Sequence, residues 1–193
     1  MNQLAAKIER LAGVQVGLET LEKLDAYGRW LRDEAIGAGG LGPGEAERIE
    51  SRHLLDSVSF ARGWQSPPEE CWDLGTGVGL PGVPLALIWP TTRMVLVDRS
   101  SRRLGLLRRA LRILQVEATV LESDIRELSG PLMAVVSRAT IPAPEFQPIL
   151  ARLLAPEGRA VVSAARGDLP AGYQALEVTM LDPGRRLLMM QPT

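Results

Sequence analysis

Gly75, Gly77 and Gly79 stand at alternate positions directly after a short apolar run that ends in Asp73-Leu74. Glycine there lets the backbone turn sharply and leaves room for a ligand against the main chain. Pro81 and Pro84 follow, where a helix is expected to start, because proline is tolerated in a first helical turn. In open parallel sheets built from such strand–turn–helix units, ligands bind beyond the carboxyl ends of the strands. The rest of the chain agrees. Short apolar runs recur at 71–74, 94–98, 119–122, 133–137 and 159–164, with helical segments at 81–89, 101–115 and 145–154 between most of them. Strands alternating with helices predict an α/β fold with a parallel sheet covered on both faces. After residue 165 the pattern changes. The runs 175–181 and 185–191 are joined by the turn sequence Asp182-Pro183-Gly184, which predicts an antiparallel hairpin at the end of the sheet.

Upstream of residue 66 the period is helical. Leu4, Ile8, Leu11, Leu18, Leu21, Leu24 and Leu31 recur at three- and four-residue steps over 3–35, and Gly13 and Gly17 divide the stretch into two helices. Gly37 to Gly44 reads as a flexible loop. A third helix is expected over 45–62, with acids at its start where the helix dipole favours them. Pro67-Pro68 marks the link onward. The expected organisation is a helical region at 1–65 packed on a core at 66–193.

The chain has 193 residues, 46% hydrophobic and 23% charged, the mix of an ordinary globular domain able to bury a core without metal or disulfides. One cysteine, Cys71, excludes an internal disulfide, and one histidine beside it disfavours a four-ligand zinc site. The cysteine and the scattered tryptophans are expected in the core. No run of eighteen apolar residues predicts a membrane span, and the start of the chain lacks the features of a signal peptide, so a cytoplasmic protein is expected. A net charge of −1 hides two opposite regions. Arg99, Arg102, Arg103, Arg108, Arg109 and Arg112 run without an intervening acid, whereas residues 1–50 carry nine acids against six bases.

The glycine spacing bears on the ligand. A dinucleotide fingerprint needs Gly-x-Gly-x-x-Gly; here position 80 is leucine and the third glycine comes one residue early. Asp73 lies two residues before the first glycine. Its charge is unfavourable to a pyrophosphate and tolerable to the ammonium of a methionine-derived cofactor. The expected cofactor is therefore S-adenosylmethionine rather than NAD, and the bland alternative is a glycine turn with no ligand. The second strand ends in Val97-Asp98. A carboxylate there can accept both ribose hydroxyls of an adenosine; the alternative is a helix N-cap, for which Ser100 and Ser101 compete. The third strand ends in Glu122-Ser123-Asp124-Ile125-Arg126. Adenine is expected beside it, held by Asp124 or by backbone groups of Ile125 and Arg126.

With these pieces placed, the chain resembles the glucose-inhibited division protein B family of small-subunit ribosomal RNA guanine-N7 methyltransferases. Three segments carry the resemblance: Arg52-His-Leu-Leu-Asp-Ser57, Asp73-Leu-Gly-Thr-Gly-Val-Gly-Leu-Pro-Gly-Val-Pro84, and Ser137-Arg-Ala139 at the end of the fourth strand. The resemblance implies a class I methyltransferase (Rossmann-like) fold with a mostly parallel seven-stranded sheet. It also implies a site with Gly75, Leu80, Ile125, Arg126 and Arg138 at the cofactor. The family's Asn-Leu-Thr segment is replaced here by the glycine loop 37–44. Ala165-Arg166-Gly167 stands where the family often has lysine and glycine, and Arg185-Arg186 where it commonly has Arg-His.

Guanine N7 offers a lone pair and no proton, so methyl transfer to it needs no general base and rests on placement. That suits a chain with one histidine. Arg138 is the candidate catalytic residue, holding either the methionine carboxylate or the guanine edge. His53 has two readings: contact with RNA or with Asp56 near the entrance, or a structural tie from the third helix to the core. A His53–Asp56 ion pair is expected from their spacing. Arg52, His53, Arg102, Arg103 and Arg166 are the candidate RNA contacts, and the arginine run is expected to grip phosphates; its alternative is a solvated helix face. The expected partner is small-subunit ribosomal RNA or the subunit itself, met by a monomer away from membranes. A second reading is a ribosome- or RNA-binding module that keeps the fold without turnover.

Overall fold

The computed structural model describes residues 2–138, 141–167, 169–178 and 182–192. A seven-stranded sheet runs β3-β2-β1-β4-β5-β7-β6. Its strands are β1 (Glu70–Leu74), β2 (Arg93–Asp98), β3 (Thr119–Glu122), β4 (Leu132–Arg138), β5 (Leu154–Ala165), β6 (Gln174–Ala175) and β7 (Arg185–Met190). β1 to β5 are parallel; β7 is antiparallel to both β5 and β6. The expected alternation is therefore borne out, and so is the antiparallel end. β6 is shorter than the apolar run at 175–181, of which residues 179–181 lie outside the described residues, as does Ala139 of the third resemblance segment.

The helices α1 (Asn2–Ala12) and α2 (Leu18–Trp30) are separated where Gly13 adopts φ 76°. α2 continues into a wide π turn at Leu31–Ala35. The third helix departs from expectation. Residues 43–63 form short 3-10 turns (Pro43–Arg48), wide π turns (Ile49–Leu55), one α turn, α3 (Asp56–Val58), and further 3-10 turns (Ser59–Gly63). Ser57 and Ser59 donate their hydroxyls back to the carbonyls of His53 and Leu55. Such back-bonding offers the backbone an alternative to the regular ladder. Then come α4 (Gly82–Ile88), α5 (Ser101–Leu114) and α6 (Ala143–Leu153).

Two apolar layers sandwich the sheet. On one face Ile8, Leu24, Tyr27, Leu55 and Phe60 from the N-terminal elements share a cluster with Val83 of α4, Leu107 of α5 and Val136, Val161 and Leu187 of the sheet. On the other face Phe146 and Leu150 of α6 meet Leu74, Val97, Val135 and Val162. Strand side chains alternate between faces, which is why neighbours such as Val135 and Val136 belong to different layers. Cys71 is buried in the first layer, as expected.

Candidate functional site

The carboxyl ends of β1, β2, β3 and β4 open onto a cleft of about 400 Å³. Gly75, Asp98, Arg103, Asp124, Ile125, Arg126 and Arg138 are among the residues that wall it. The structure thus brings these candidate positions to one cleft. Asp73, Gly77, Gly79 and Leu80 lie behind that wall and build the turn.

Asp73 is fully buried. Its Oδ2 accepts from the Thr76 hydroxyl at 2.6 Å and from the Gly82 N–H at 2.8 Å, so one carboxylate oxygen ties the loop to the start of α4. Its Oδ1 is buried without a hydrogen-bond partner among the described residues. Burial raises the Asp73 pKa to about 7 against the opposing effect of those two hydrogen bonds. Gly77 turns at φ 60° and Gly79 at φ 109°. A β-carbon on Gly79 would also sit 2.5 Å from Val83 and 2.9 Å from the Tyr27 hydroxyl. That hydroxyl donates to the Val78 carbonyl at 2.8 Å, so α2 clamps the loop from outside the sheet. Tyr27 carried no sequence signal beyond its helical register.

Asp98 is not the N-cap of α5. The N-cap of α5 is Ser100, whose hydroxyl accepts from the Arg103 N–H. Asp98 Oδ1 accepts from the Ser100 N–H at 2.8 Å and the Arg103 guanidinium at 3.1 Å, and Oδ2 from the Gly77 N–H at 2.9 Å. A carboxylate offers about four lone-pair sites, so roughly one stays open and Arg103 guards another. Asp124 caps its own turn, accepting from the Arg126 N–H at 2.9 Å. The Arg126 N–H is thereby taken; Asp124, Ile125 and Arg126 all wall the cleft, Ile125 with a buried side chain.

Arg138 stands at the inner end. Its guanidinium donates to the Arg52 carbonyl at 3.2 Å and to His53 Nδ1 at 3.0 Å. His53 is buried, and its Nε2–H donates to Glu45 Oε2 at 2.8 Å. Burial and the Arg138 charge hold the His53 pKa down to about 4, so the ring is neutral. The expected His53–Asp56 ion pair is therefore corrected: His53 pairs with Glu45 and Arg138, and Asp56 Oδ2 accepts from the Asp182 N–H at 3.1 Å. The irregular turns swing the ring away from the spacing that a regular helix would impose. Burial lowers the Arg138 pKa to about 10, which leaves it charged.

Behind Arg138 lies a second cavity of about 150 Å³, walled by Arg52, His53, Asp56, Arg138, Ser163, Asp182 and Arg185. Among the described residues, Arg138 alone belongs to both walls. Ser163 and Arg185 escaped sequence reasoning. A serine inside an otherwise apolar strand was the available signal for the first.

The candidate RNA contacts divide. Arg52 pairs with Glu45 at 3.0 Å and Asp182 at 3.4 Å, Arg102 donates to the Ala38 carbonyl of the glycine-rich loop, and Arg103 holds Asp98. Arg166 is exposed at the end of β5.

A glycine turn under a strand-end cleft, in a sheet of order 3-2-1-4-5-7-6, defines a class I methyltransferase fold. Solved structures agree in fold: magnesium protoporphyrin IX methyltransferase from Synechocystis with bound SAM aligns at TM-score 0.62 and 16% identity, covering 89% of this chain and 97% of that one. A Thermus thermophilus 16S rRNA N2 methyltransferase in complex with AdoMet and guanosine aligns at TM-score 0.55 and 18% identity, covering 79% and 44%. The family described as rRNA small subunit methyltransferase G matches residues 20–171, and the chain belongs to it. A ribosomal RNA small subunit methyltransferase G of Cereibacter sphaeroides is 33% identical over 77% of this chain and 74% of its own length. That of Mycolicibacterium smegmatis is 34% identical over 63% and 53%, so the match spans about half the length of that relative.

Proposed function

We propose that this chain transfers the methyl group of S-adenosylmethionine to N7 of a guanine in small-subunit ribosomal RNA. The observation that carries the reading is the cleft itself, in a chain of this family: a strand-end carboxylate, an apolar floor at Ile125 and a guanidinium at its inner end. The residues fit an adenosyl cofactor. Asp98 accepts a ribose hydroxyl at its open lone pair and a second when Arg103, with its side chain 44% exposed, swings away. Asp124 accepts from the adenine amine while Ile125 packs on the ring. Arg138 keeps guanidinium donors beyond the two that it spends on Arg52 and His53, and these face a carboxylate. Asp73 Oδ1, buried without a partner among the described residues, is an acceptor of the kind an ammonium meets.

Bound there, the cofactor supplies an electrophilic methyl: the N7 lone pair forms the new bond, the sulfur–carbon pair returns to sulfur as a neutral thioether, and the purine takes the positive charge. No proton moves, so the chain needs to place and orient rather than to act as a base. On this reading Arg166 is free to meet RNA, Arg52 and His53 line the inner cavity, and Arg102 and Arg103 are held by Ala38 and Asp98, with the helical region 1–65 covering the core 66–193. The protein acts as a cytoplasmic monomer; among the described residues no helix is long and apolar enough to cross a membrane.

The test is transfer of labelled methyl from S-adenosylmethionine to small subunits or their RNA, followed by mapping of the modified base. Label in 7-methylguanine is expected. Label appearing only in protein or a small molecule overturns the reading.

A further inference from the structure

We propose that the small cavity behind Arg138 seats the acceptor guanine, with Ser163 and Arg185 reading its O6 edge and Asp56 and Asp182 facing its N1–H and amino group. The inference rests on the methyl-transfer reading above and names the residues that choose the base.

Register puts three of these side chains together. Arg138 pairs with Ser163 across β4 and β5, and Ser163 pairs with Leu187 across β5 and β7. Arg185 precedes Leu187 by two residues and so shares its face. The segment carrying Arg52, His53 and Asp56 lines the cavity opposite these strands, with Asp182 beside Arg185.

Two donors in this cavity have no hydrogen-bond partner among the described residues. Ser163 is 7% exposed, and its buried hydroxyl has no hydrogen-bond partner among the described residues. Buried hydroxyls are normally satisfied, and one left without a partner is a lasting cost unless a ligand meets it. Arg185 lines the same space and makes no side-chain hydrogen bond or ion pair with the described residues. Both point to an acceptor in the ligand.

Charge decides what kind of ligand. Arg52, Arg138 and Arg185 stand against Asp56 and Asp182, with His53 neutral. A phosphate would meet two carboxylates. A neutral base with an acceptor beside donors meets both kinds of partner. Guanine presents O6 next to N1–H and an amino group; adenine presents an amino group where O6 would be and has no N1–H. Arginine suits the guanine acceptor edge, and placing it on O6 leaves N7 free to react. Methylation at N7 also leaves the purine positive, and carboxylates favour that product. The cavity volume of about 150 Å³ suits one flat base and leaves sugar and phosphate outside.

His53 is the chain's one histidine and lies in this wall, so its imidazole resonance reports on the cavity. With S-adenosylhomocysteine saturating the cofactor cleft, millimolar guanosine is expected to shift that resonance saturably, and adenosine is not. Ser163→Ala and Arg185→Gln are each expected to weaken guanosine binding and to lower kcat/KM for RNA about tenfold, the effect of losing one hydrogen bond of ordinary strength. Their affinity for S-adenosylhomocysteine by calorimetry stays at the wild-type value, which also reports that they fold. An unmoved His53 resonance, or wild-type guanosine binding in both variants, overturns this inference even if the enzyme methylates RNA. If the wild-type chain transfers no methyl to RNA, the functional reading fails, and the nucleoside titration still decides what the cavity holds.

Discussion

His53 shows how burial and one neighbouring charge set a side chain's chemistry. Its folded pKa of about 4 lies below the ordinary value of 6.5. The native state therefore favours the neutral ring, and this contribution to stability is complete above the unfolded pKa and is lost as pH falls from 6.5 towards 4. Proton NMR of the lone imidazole is expected to show a midpoint well below 6; a midpoint near 6.5 would refute the Glu45–His53–Arg138 arrangement. Asp73 works in the opposite direction. Its carboxyl, raised to about 7, costs stability progressively as pH climbs from 3.8 through 7. Asp73 and Asp98 were legible as candidates because each stands at a strand end, Asp73 two residues before the first glycine. Glu45 was not. It lies eight residues before His53, and only the mixture of 3-10 and π turns brings the two together.

At the scale of elements, β1 to β4 and the helices α4 to α6 were readable to within two residues, since their buried faces repeat at fixed periods, whereas β5 begins five residues before its apolar run and β6 is shorter than its own. The N-terminal segment was readable as helical but not as irregular, because hydroxyl back-bonding leaves no mark on the apolar pattern. The same blindness hid the contact that matters most between α2 and the glycine turn, the Tyr27 hydroxyl on Val78. Tyr27→Phe strands a buried carbonyl, and a loss of about 1–3 kcal/mol is expected. Denaturant unfolding measures it as a lower midpoint at unchanged slope. An unchanged midpoint would mean that the loop holds its shape without help from α2.

For the molecule as a whole, the arginine run proves to be two sets of side chains. Arg102, Arg103 and Arg109 are spent on Ala38, Asp98 and Glu34, tying α5 to its surroundings. Arg99, Arg108 and Arg112 stay exposed with no ion pair to the described residues, Arg99 in the wall of the cleft and Arg108 and Arg112 on α5. The pair on α5 carries the run's claim on phosphate. Replacing both by glutamine is expected to flatten the dependence of RNA affinity on salt by about one logarithmic slope unit per lost phosphate contact. Filter binding across a salt series measures it, and an unaltered slope would return the run to the status of a solvated face.

Arg138 separates two chambers and belongs to the walls of both. A partition of one side chain transmits occupancy. Whatever shift of the guanidinium suits a guest in the larger chamber changes the shape offered to a guest in the smaller. Linkage then requires reciprocity: the factor by which the first guest alters the affinity of the second equals the factor by which the second alters that of the first. A guest that moves this guanidinium on one side would therefore be sensed on the other, without any domain having to close.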